Sequence, residues 1–264
     1  MYIEPYISTY GTAMQKQRFL VLFSFVLFFI TACSPMELPK AGSKAENILG
    51  ELWNHAIQDA AVSNDNEIMP LVTLTAKDRN VQWNKEKNAV LLGTFHAYSF
   101  SDNVNKSFPA WKKPIWAVSV RELKNWYEKN KASVENWQLR LAQVLGLPAD
   151  YNDTKGYEYF TLFWVRPEHV IRPAYITDVK AQMKNGMQHI QDTEYKKWFE
   201  QNYMYSNVTG HFPWTRLGYS YDWGNPEQEY GLTEFLIQNP EHTTIIYSFT
   251  VPELIEWLEK YEIH

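Results

Sequence analysis

Residues 157–165, YEYFTLFWV, decide the fold that this chain can adopt. The run is rich in aromatic and β-branched side chains, which favour a strand buried in a sheet. Residues 89–99, AVLLGTFHAYS, have the same character and fit a second central strand. Two such strands predict a sheet whose apolar faces are covered by other elements.

Amphipathic helices and further short strands surround these two runs. Two apolar strands each lead into a predicted capping box, Ser119 with Glu122 and Thr250 with Glu253. Convergence explains so simple a pattern without a duplication. The predicted strands are residues 71–75, 81–84, 115–118, 231–237 and 245–249, and other predicted helices begin near residue 44, at Ser133 and at Asp192. The sequence therefore predicts one α+β domain with a mixed or mainly antiparallel sheet and packed helices.

Residues 211–224, HFPWTRLGYSYDWG, follow neither a helical nor a strand period. Aromatic side chains with polar groups, fixed by Pro and Gly on a loop, are typical of a recognition surface. We therefore predict that this aromatic loop binds a ligand through Arg216, Tyr219, Tyr221, Asp222 and Trp223. The residues leave one alternative open, a plug over the core in which Arg216 stacks on a ring and pairs with Asp222.

The order of segments across roughly residues 80–240 resembles a family of uncharacterised bacterial exported proteins. The shared pattern joins IWAVSVREL, LRLAQVLGLP, FTLFWVRPEHVIRP, PWTRLGYSYDWG and GLTEFLI, of which PWTRLGYSYDWG is the most specific. The resemblance implies a common α+β domain. It implies no activity and supplies no catalytic residue.

The beginning of the chain resembles the signal peptide of a bacterial lipoprotein. Lys16 and Arg18 precede an apolar run at residues 19–30, in which Ser24 is the one polar residue, and ITAC at residues 30–33 resembles a lipobox. The run is shorter than the roughly 20 apolar residues that span a bilayer. The resemblance implies that Cys33 is acylated, with a diacylglycerol and a further acyl chain such as palmitate. Several acyl chains together make membrane attachment effectively permanent.

These features divide the chain into a signal peptide at residues 1–32, a lipidated tether at residues 33–43 and a single α+β domain at residues 44–264. Ser34 stands where an aspartate would resemble an inner-membrane retention signal. We therefore expect a lipid-anchored protein of the cell envelope, in the outer membrane and facing the periplasm or the cell surface.

The charge of the chain limits its partners. The net charge is −5, and residues 1–32 carry a net +1 from Lys16, Arg18 and Glu4, so their removal leaves −6. Nucleic acids are bound through basic patches, which argues against a nucleic-acid partner. The expected partners are the membrane, through the anchor, and a glycan, a peptidoglycan fragment or a protein.

No local motif for metal or cofactor chemistry occurs in the sequence. It contains no HExxH, no His-x-His, no cysteine pair, no GxSxG, no P-loop and no GxGxxG. We therefore predict no metal site and no cofactor. His96 follows strand residues and fits a hydrogen-bonded structural role better than that of a ligand or a base.

Three functional hypotheses follow. The first is a binding or envelope-associated module that uses the aromatic loop. The second is an enzyme: Asp222 and Glu234 could be the carboxylate pair of a glycosidase. Glu234 with Arg172 or His96 on earlier strands, and with Tyr219 or Tyr221 between them, also has a loose likeness to ADP-ribosyltransferase-like folds. Either enzyme predicts Glu234 in a cleft beside Arg216 with a raised pKa. The third, a purely structural lipoprotein, predicts no concave site.

Overall fold

The computed structural model describes residues 44–109, 113–149, 156–225 and 227–261. The predicted signal peptide and tether, with Cys33, lie outside these residues. The strands are Val90–His96 (β1), Ile115–Ser119 (β2), Tyr159–Val165 (β3), Val170–Ile171 (β4), Tyr219–Tyr221 (β5), Tyr230–Ile237 (β6) and Thr243–Thr250 (β7). The α-helices are Lys44–Ala60 (α1), Val120–Asn130 (α2), Trp137–Val144 (α3), Thr193–Tyr203 (α4) and Val251–Lys260 (α5).

One sheet organises the described part of the chain. Its strand order is β4-β6-β2-β1-β3-β7, and β5 pairs with β6 beside this path. Every pairing among these strands is antiparallel. The predicted α+β class is therefore confirmed, and the sheet is of the antiparallel kind.

The two runs that predicted a sheet are neighbours at its centre. Strand β1 pairs with β3 along its whole length, from Val90 opposite Val165 to His96 opposite Tyr159. Gly93 is required in the middle of β1, because a Cβ there would overlap the ring of Phe160. The missing side chain lets the Phe160 ring lie across the strand.

Each face of the sheet carries its own apolar core. Helices α2, α3 and α5 cover one face, where residues such as Leu123, Leu141 and Leu254 are fully buried. The segments around residues 72–81 and 100–108 cover the other face. Because both faces are covered, central strands can be apolar on both sides rather than alternating.

A third apolar cluster holds the aromatic loop. Helix α4 contributes Tyr195 and Phe199, and the loop contributes Trp214 and Leu217. A five-residue π-helix, Met204–Val208, continues α4 toward this loop. π-helical turns are rare and are frequently found at functional sites.

Three local predictions were wrong. Residues 71–75 form no strand, because the backbone N–H groups of Val72 and Leu74 donate to Thr233 Oγ1 and the Val179 carbonyl at 3.0 and 3.1 Å. Residues 81–84 form only one isolated bridge, from Trp83 to Val90. Helix α3 is capped by Asn136 rather than by Ser133: the Asn136 side chain accepts from the Leu139 N–H at 3.1 Å.

Candidate functional site

The aromatic loop lies in the protein interior. Its five predicted ligand-binding residues, Arg216, Tyr219, Tyr221, Asp222 and Trp223, are all between 2 and 6% exposed. The chain turns sharply here, with φ of 62° at Arg216 and 86° at Gly218. A Cβ at Gly218 would lie 2.6 Å from Cδ of Arg172, so the tight packing requires glycine.

Arg216 holds the end of helix α1. Its guanidinium donates to the carbonyls of Ala60 and Ala61 at 2.8 and 3.3 Å, and to the Trp214 carbonyl at 3.1 Å. It also lies over the ring of Tyr203, 4.9 Å from the centroid. A cation at a helix C-terminus is favourable, because the last carbonyls lack partners within the helix.

Asp222 and Trp223 are also occupied by partners within the chain. Asp222 accepts a bidentate pair of hydrogen bonds from Arg140, at 2.7 and 2.6 Å. The Trp223 indole donates to the Leu147 carbonyl at 2.9 Å and packs edge-on against Trp53. The sequence-based pairing of Arg216 with Asp222 was therefore wrong, since each ion has another partner.

The two tyrosines tie the loop to the segment around α1. The Tyr219 hydroxyl donates to the Glu67 carbonyl at 3.1 Å, and the Tyr221 hydroxyl donates to Asp59 Oδ2 at 2.9 Å. Burial raises the pKa of both phenols, so they stay neutral at physiological pH. The five side chains do not form an exposed surface, which corrects that expectation. Their geometry is that of a plug over the core.

Arg172 is enclosed as well. It is fully buried, and its guanidinium donates to the carbonyls of Val72, Asp178, Val179 and Ala181 at 2.9 to 3.3 Å. Its Nε–H is buried without a partner, and both terminal nitrogens are bonded to carbonyls of the chain. The arrangement expected for an ADP-ribosyltransferase-like site therefore cannot use Arg172, which leaves the alternative with His96.

A cavity of about 490 Å³ lies beside the aromatic loop. Strands β1 and β2 are paired only at Leu92–Ser119 and Gly93–Val118, and beyond these pairs they separate. The cavity is lined by the separated part of both strands, residues 94–98 and 113–117, and by residues of α4 and the π-helix. A concave site is thus present, which the purely structural hypothesis did not expect.

Glu234 is the carboxyl group of this cavity. It lies on β6 directly opposite Val118 of β2, and Val118 in turn lies opposite Gly93 of β1. Glu234 is therefore on the same sheet face as these two residues, and the ring of Phe160 fills the space at Gly93. The Glu234 side chain is partly accessible, and its accessible part faces the cavity.

Three polar atoms of the cavity lining lack partners. Glu234 Oε2, Asn202 Nδ2 and His96 Nδ1 are buried and find no hydrogen-bond partner among the described residues. Buried polar atoms are nearly always hydrogen-bonded, so each unpaired one needs an explanation such as a bound ligand or water. Desolvation alone raises the pKa of Glu234 to about 8, so the carboxyl is mostly protonated at neutral pH.

Aromatic rings form the wall next to this carboxyl. Trp116 is two residues from Val118 on β2, which makes it a diagonal neighbour of Glu234 on the same face. Its ring contacts those of Trp198 and Trp214, with centroids 6.3 and 6.1 Å away. All three indoles line the cavity, so its surface next to the carboxyl is mainly aromatic.

The other ionisable groups of the cavity form no hydrogen bond or ion pair with Glu234 Oε2. His96 is bonded to Thr161 Oγ1 through Nε2 at 2.8 Å, whereas its Nδ1 is buried without a partner. Burial lowers the pKa of His96 to about 4, so the ring is neutral at pH 7. Among the described lining residues, Glu234 is the one carboxylic acid. Asp222 is not among them, and Arg216 is not beside Glu234.

Sequence reasoning named Glu234 but missed the cavity and Asn202. The signal for Glu234 is its position between Leu232 and Leu236, which share its strand face and are buried. An acid on the apolar face of a strand is unusual. Asn202 gave no comparable signal, because a polar residue on a helix is ordinary.

Within the described residues, no helix is long and apolar enough to cross a membrane. The same residues contain no group of three or more His, Cys, Asp or Glu side chains that could hold a metal ion. Comparisons of the chain with protein-family models, with curated proteins and with solved structures found no match. The resemblance to exported bacterial proteins therefore stays a prediction.

Proposed function

We propose that the protein is a lipid-anchored envelope protein that binds a small, mainly apolar ligand in the cavity, with Glu234 and Asn202 holding the polar group of the ligand. One observation carries the proposal: three unpartnered polar atoms, of Glu234, Asn202 and His96, belong to the lining of an aromatic cavity of about 490 Å³. Ligand sites are typically concave and apolar, with a few polar groups that fix the orientation.

The lining of the cavity favours an apolar ligand over a free sugar. A sugar carries a hydroxyl group on most of its carbons, and each one that is buried without a partner costs free energy. The indoles of Trp116, Trp198 and Trp214 offer stacking but few hydrogen bonds, and they line the cavity together with scattered hydroxyl groups. A mainly apolar ligand with a few polar atoms fits this lining better. The proposed place of binding is therefore the cavity, to which the aromatic loop contributes Trp214 and Tyr221.

An enzyme is the second candidate, and the same carboxyl favours it. A protonated glutamic acid in a cavity is suited to general acid catalysis, since its pKa of about 8 is close to neutral pH. The two-carboxylate mechanism of glycosidases would need a second acid in the cavity. Among the described lining residues there is none, so binding is the better supported function.

The anchor is proposed from the sequence alone, from the apolar run at residues 19–30 and from Cys33. The substitution Cys33→Ser removes the acylation site. We expect it to move the protein from the membrane fraction to the soluble fraction and to abolish labelling by palmitate. Retention of Cys33→Ser in the membrane fraction without label would contradict a lipid anchor.

A cavity-blocking variant tests the binding site. Ala97 lines the cavity at the end of β1, so Ala97→Trp places an indole where the ligand would lie. Val62 is 64% exposed and does not line the cavity, so Val62→Trp is the matched control. The probe is the neutral dye N-phenylnaphthylamine, added to the full chain carrying Cys33→Ser.

We expect a saturable rise in the fluorescence of the dye that Ala97→Trp removes and Val62→Trp retains. Circular dichroism of both variants establishes that they are folded. Equal fluorescence with both variants would place the dye outside the cavity and would refute the proposed site.

A further inference from the structure

Resting on the proposed function, we infer that the polar group of the ligand is an organic ammonium, which Glu234 receives as its counter-ion within the aromatic wall. The inference concerns the chemical class of the ligand. It depends on three features of the cavity: the unpaired carboxyl, the rings beside it and the absence of a cation at the carboxyl among the described residues.

The carboxyl of Glu234 has no cationic partner in the described part of the chain. No hydrogen bond or ion pair joins its Oε2 to a lysine, arginine or histidine. Other buried acids of this protein are paired: Asp222 with Arg140, and Glu122 with the backbone N–H and hydroxyl of Thr233. Buried charges in proteins are normally paired, so Glu234 lacks a partner that a ligand can supply.

The rings next to Glu234 favour the same charge. The faces of aromatic rings carry partial negative charge and attract cations, most strongly in the case of tryptophan. Trp116, Trp198 and Trp214 line the cavity, and their rings contact each other at 6.0 to 6.3 Å between centroids. A cation is therefore attracted by both the carboxyl and the walls. A neutral group gains one hydrogen bond, and an anion is repelled by both.

The remaining titratable groups that line the cavity form no hydrogen bond or ion pair with Glu234 Oε2. They are His96, Tyr98, Lys113, Tyr157, Tyr205 and Tyr221. His96 is neutral at pH 7 because burial lowers its pKa to about 4. Lys113 is the cation among them. It is exposed ahead of β2, so its ammonium is hydrated and screened by salt.

Binding of an ammonium must displace a proton. A permanently charged ligand pairs with the carboxylate, whereas Glu234, with a pKa of about 8, is mostly protonated at pH 7. Each ligand bound below that pH therefore releases a proton from the carboxyl group to the buffer. The affinity should rise about tenfold per pH unit up to pH 8 and level off above it.

A matched pair of probes tests the inference. Choline carries a trimethylammonium group, and the dimethylbutanol in which carbon replaces nitrogen has the same shape without the charge. Calorimetry of the full chain carrying Cys33→Ser, in buffers of different ionisation enthalpy, measures the affinity and the protons released. At pH 8.5 we expect choline to bind about tenfold or more tightly than the alcohol, with the proton release appearing near pH 7.

Two variants separate the charge of Glu234 from charge in general. Glu234→Gln should weaken choline binding about thirty-fold or more, because it removes the counter-ion of a buried cation, and should abolish the proton release. Glu241→Gln removes an exposed acid that does not line the cavity and should leave both unchanged.

The outcomes also distinguish this inference from the proposed function. If the alcohol binds as tightly as choline, or if Glu234→Gln leaves choline binding unchanged, the ammonium inference is refuted. The same is true if choline does not bind at pH 8.5. The proposed function still stands in these cases if Ala97→Trp removes dye binding, and it fails with the inference if Ala97→Trp has no effect.

Discussion

Arg216 shows how one side chain can decide whether a segment is a binding surface or a part of the core. Its guanidinium donates to the carbonyls of Ala60, Ala61 and Trp214, which also accept hydrogen bonds from Asn207 or Tyr203. A free guanidinium on a loop would suit ligand recognition. Here the same group joins the loop to the end of α1, so Arg216 stabilises the fold.

The substitution Arg216→Ala is therefore expected to destabilise the protein by about 3 kcal/mol or more. It removes three hydrogen bonds from a buried guanidinium to these carbonyls, and each lost hydrogen bond to a charged group costs about 1.5 to 3 kcal/mol. Urea denaturation followed by circular dichroism measures the change in the free energy of unfolding.

Arg166→Ala is the control for the loss of an arginine. The Arg166 side chain is 53% exposed, and its bonds to Glu168 and His169 are at the surface. Surface substitutions of this kind usually change the free energy of unfolding by less than about 0.5 kcal/mol. Equal effects of the two substitutions would mean that the contacts of Arg216 with α1 contribute little.

At the scale of elements, two similar sequence patterns have different outcomes. Thr250 and Glu253 form the predicted capping box of α5, with Glu253 accepting from the Thr250 N–H and hydroxyl at 2.8 Å. Ser119 and Glu122 have the same spacing at the start of α2. The Glu122 carboxylate instead accepts hydrogen bonds from the N–H and hydroxyl of Thr233, and the Ser119 hydroxyl donates to the Asn80 carbonyl.

This contrast shows why part of the fold could be predicted. Elements held by their own local bonds follow from local sequence, as with Asp192, whose side chain accepts from the Tyr195 N–H at 2.8 Å as predicted. Glu122 and Thr233 are 111 residues apart, and no local pattern contains that contact. Residues 71–75 fail as a strand for a similar reason, since their backbone groups bond to distant segments.

The candidate site depends on how elements that are distant in the sequence pack together. Sequence periodicity predicted β1, β2 and β6 and identified Glu234 as a candidate acid. The cavity forms because β1 and β2 separate beyond Gly93 and because α4 brings Trp198 beside Trp116. Neither the separation nor the docking of α4 has a local signature, so the site could not be located from sequence alone.

The buried acids make the free energy of unfolding of the whole molecule depend on pH. Burial raises the pKa of Glu122 and Glu229 to about 7 and that of Glu234 to about 8. Each folded-state pKa lies above the unfolded value of about 4.3 for glutamic acid. Between the two values the folded protein holds more protons than the unfolded chain. This stabilisation is complete below the unfolded pKa and is lost as the pH rises through the folded one.

We therefore expect the free energy of unfolding to fall between pH 7 and pH 9, with Glu234 responsible for most of the loss. A group with a folded pKa near 8 contributes about 1.4 kcal/mol over this interval, whereas an acid with a pKa near 7 is already about half ionised at its start and contributes less. Urea denaturation of wild type and Glu234→Gln at the two pH values measures the contribution. Glu122→Gln, the matched control, should keep most of the wild-type pH dependence. A Glu234→Gln variant with the wild-type pH dependence would show that Glu234 is already ionised at neutral pH, and would leave the cavity with a standing negative charge.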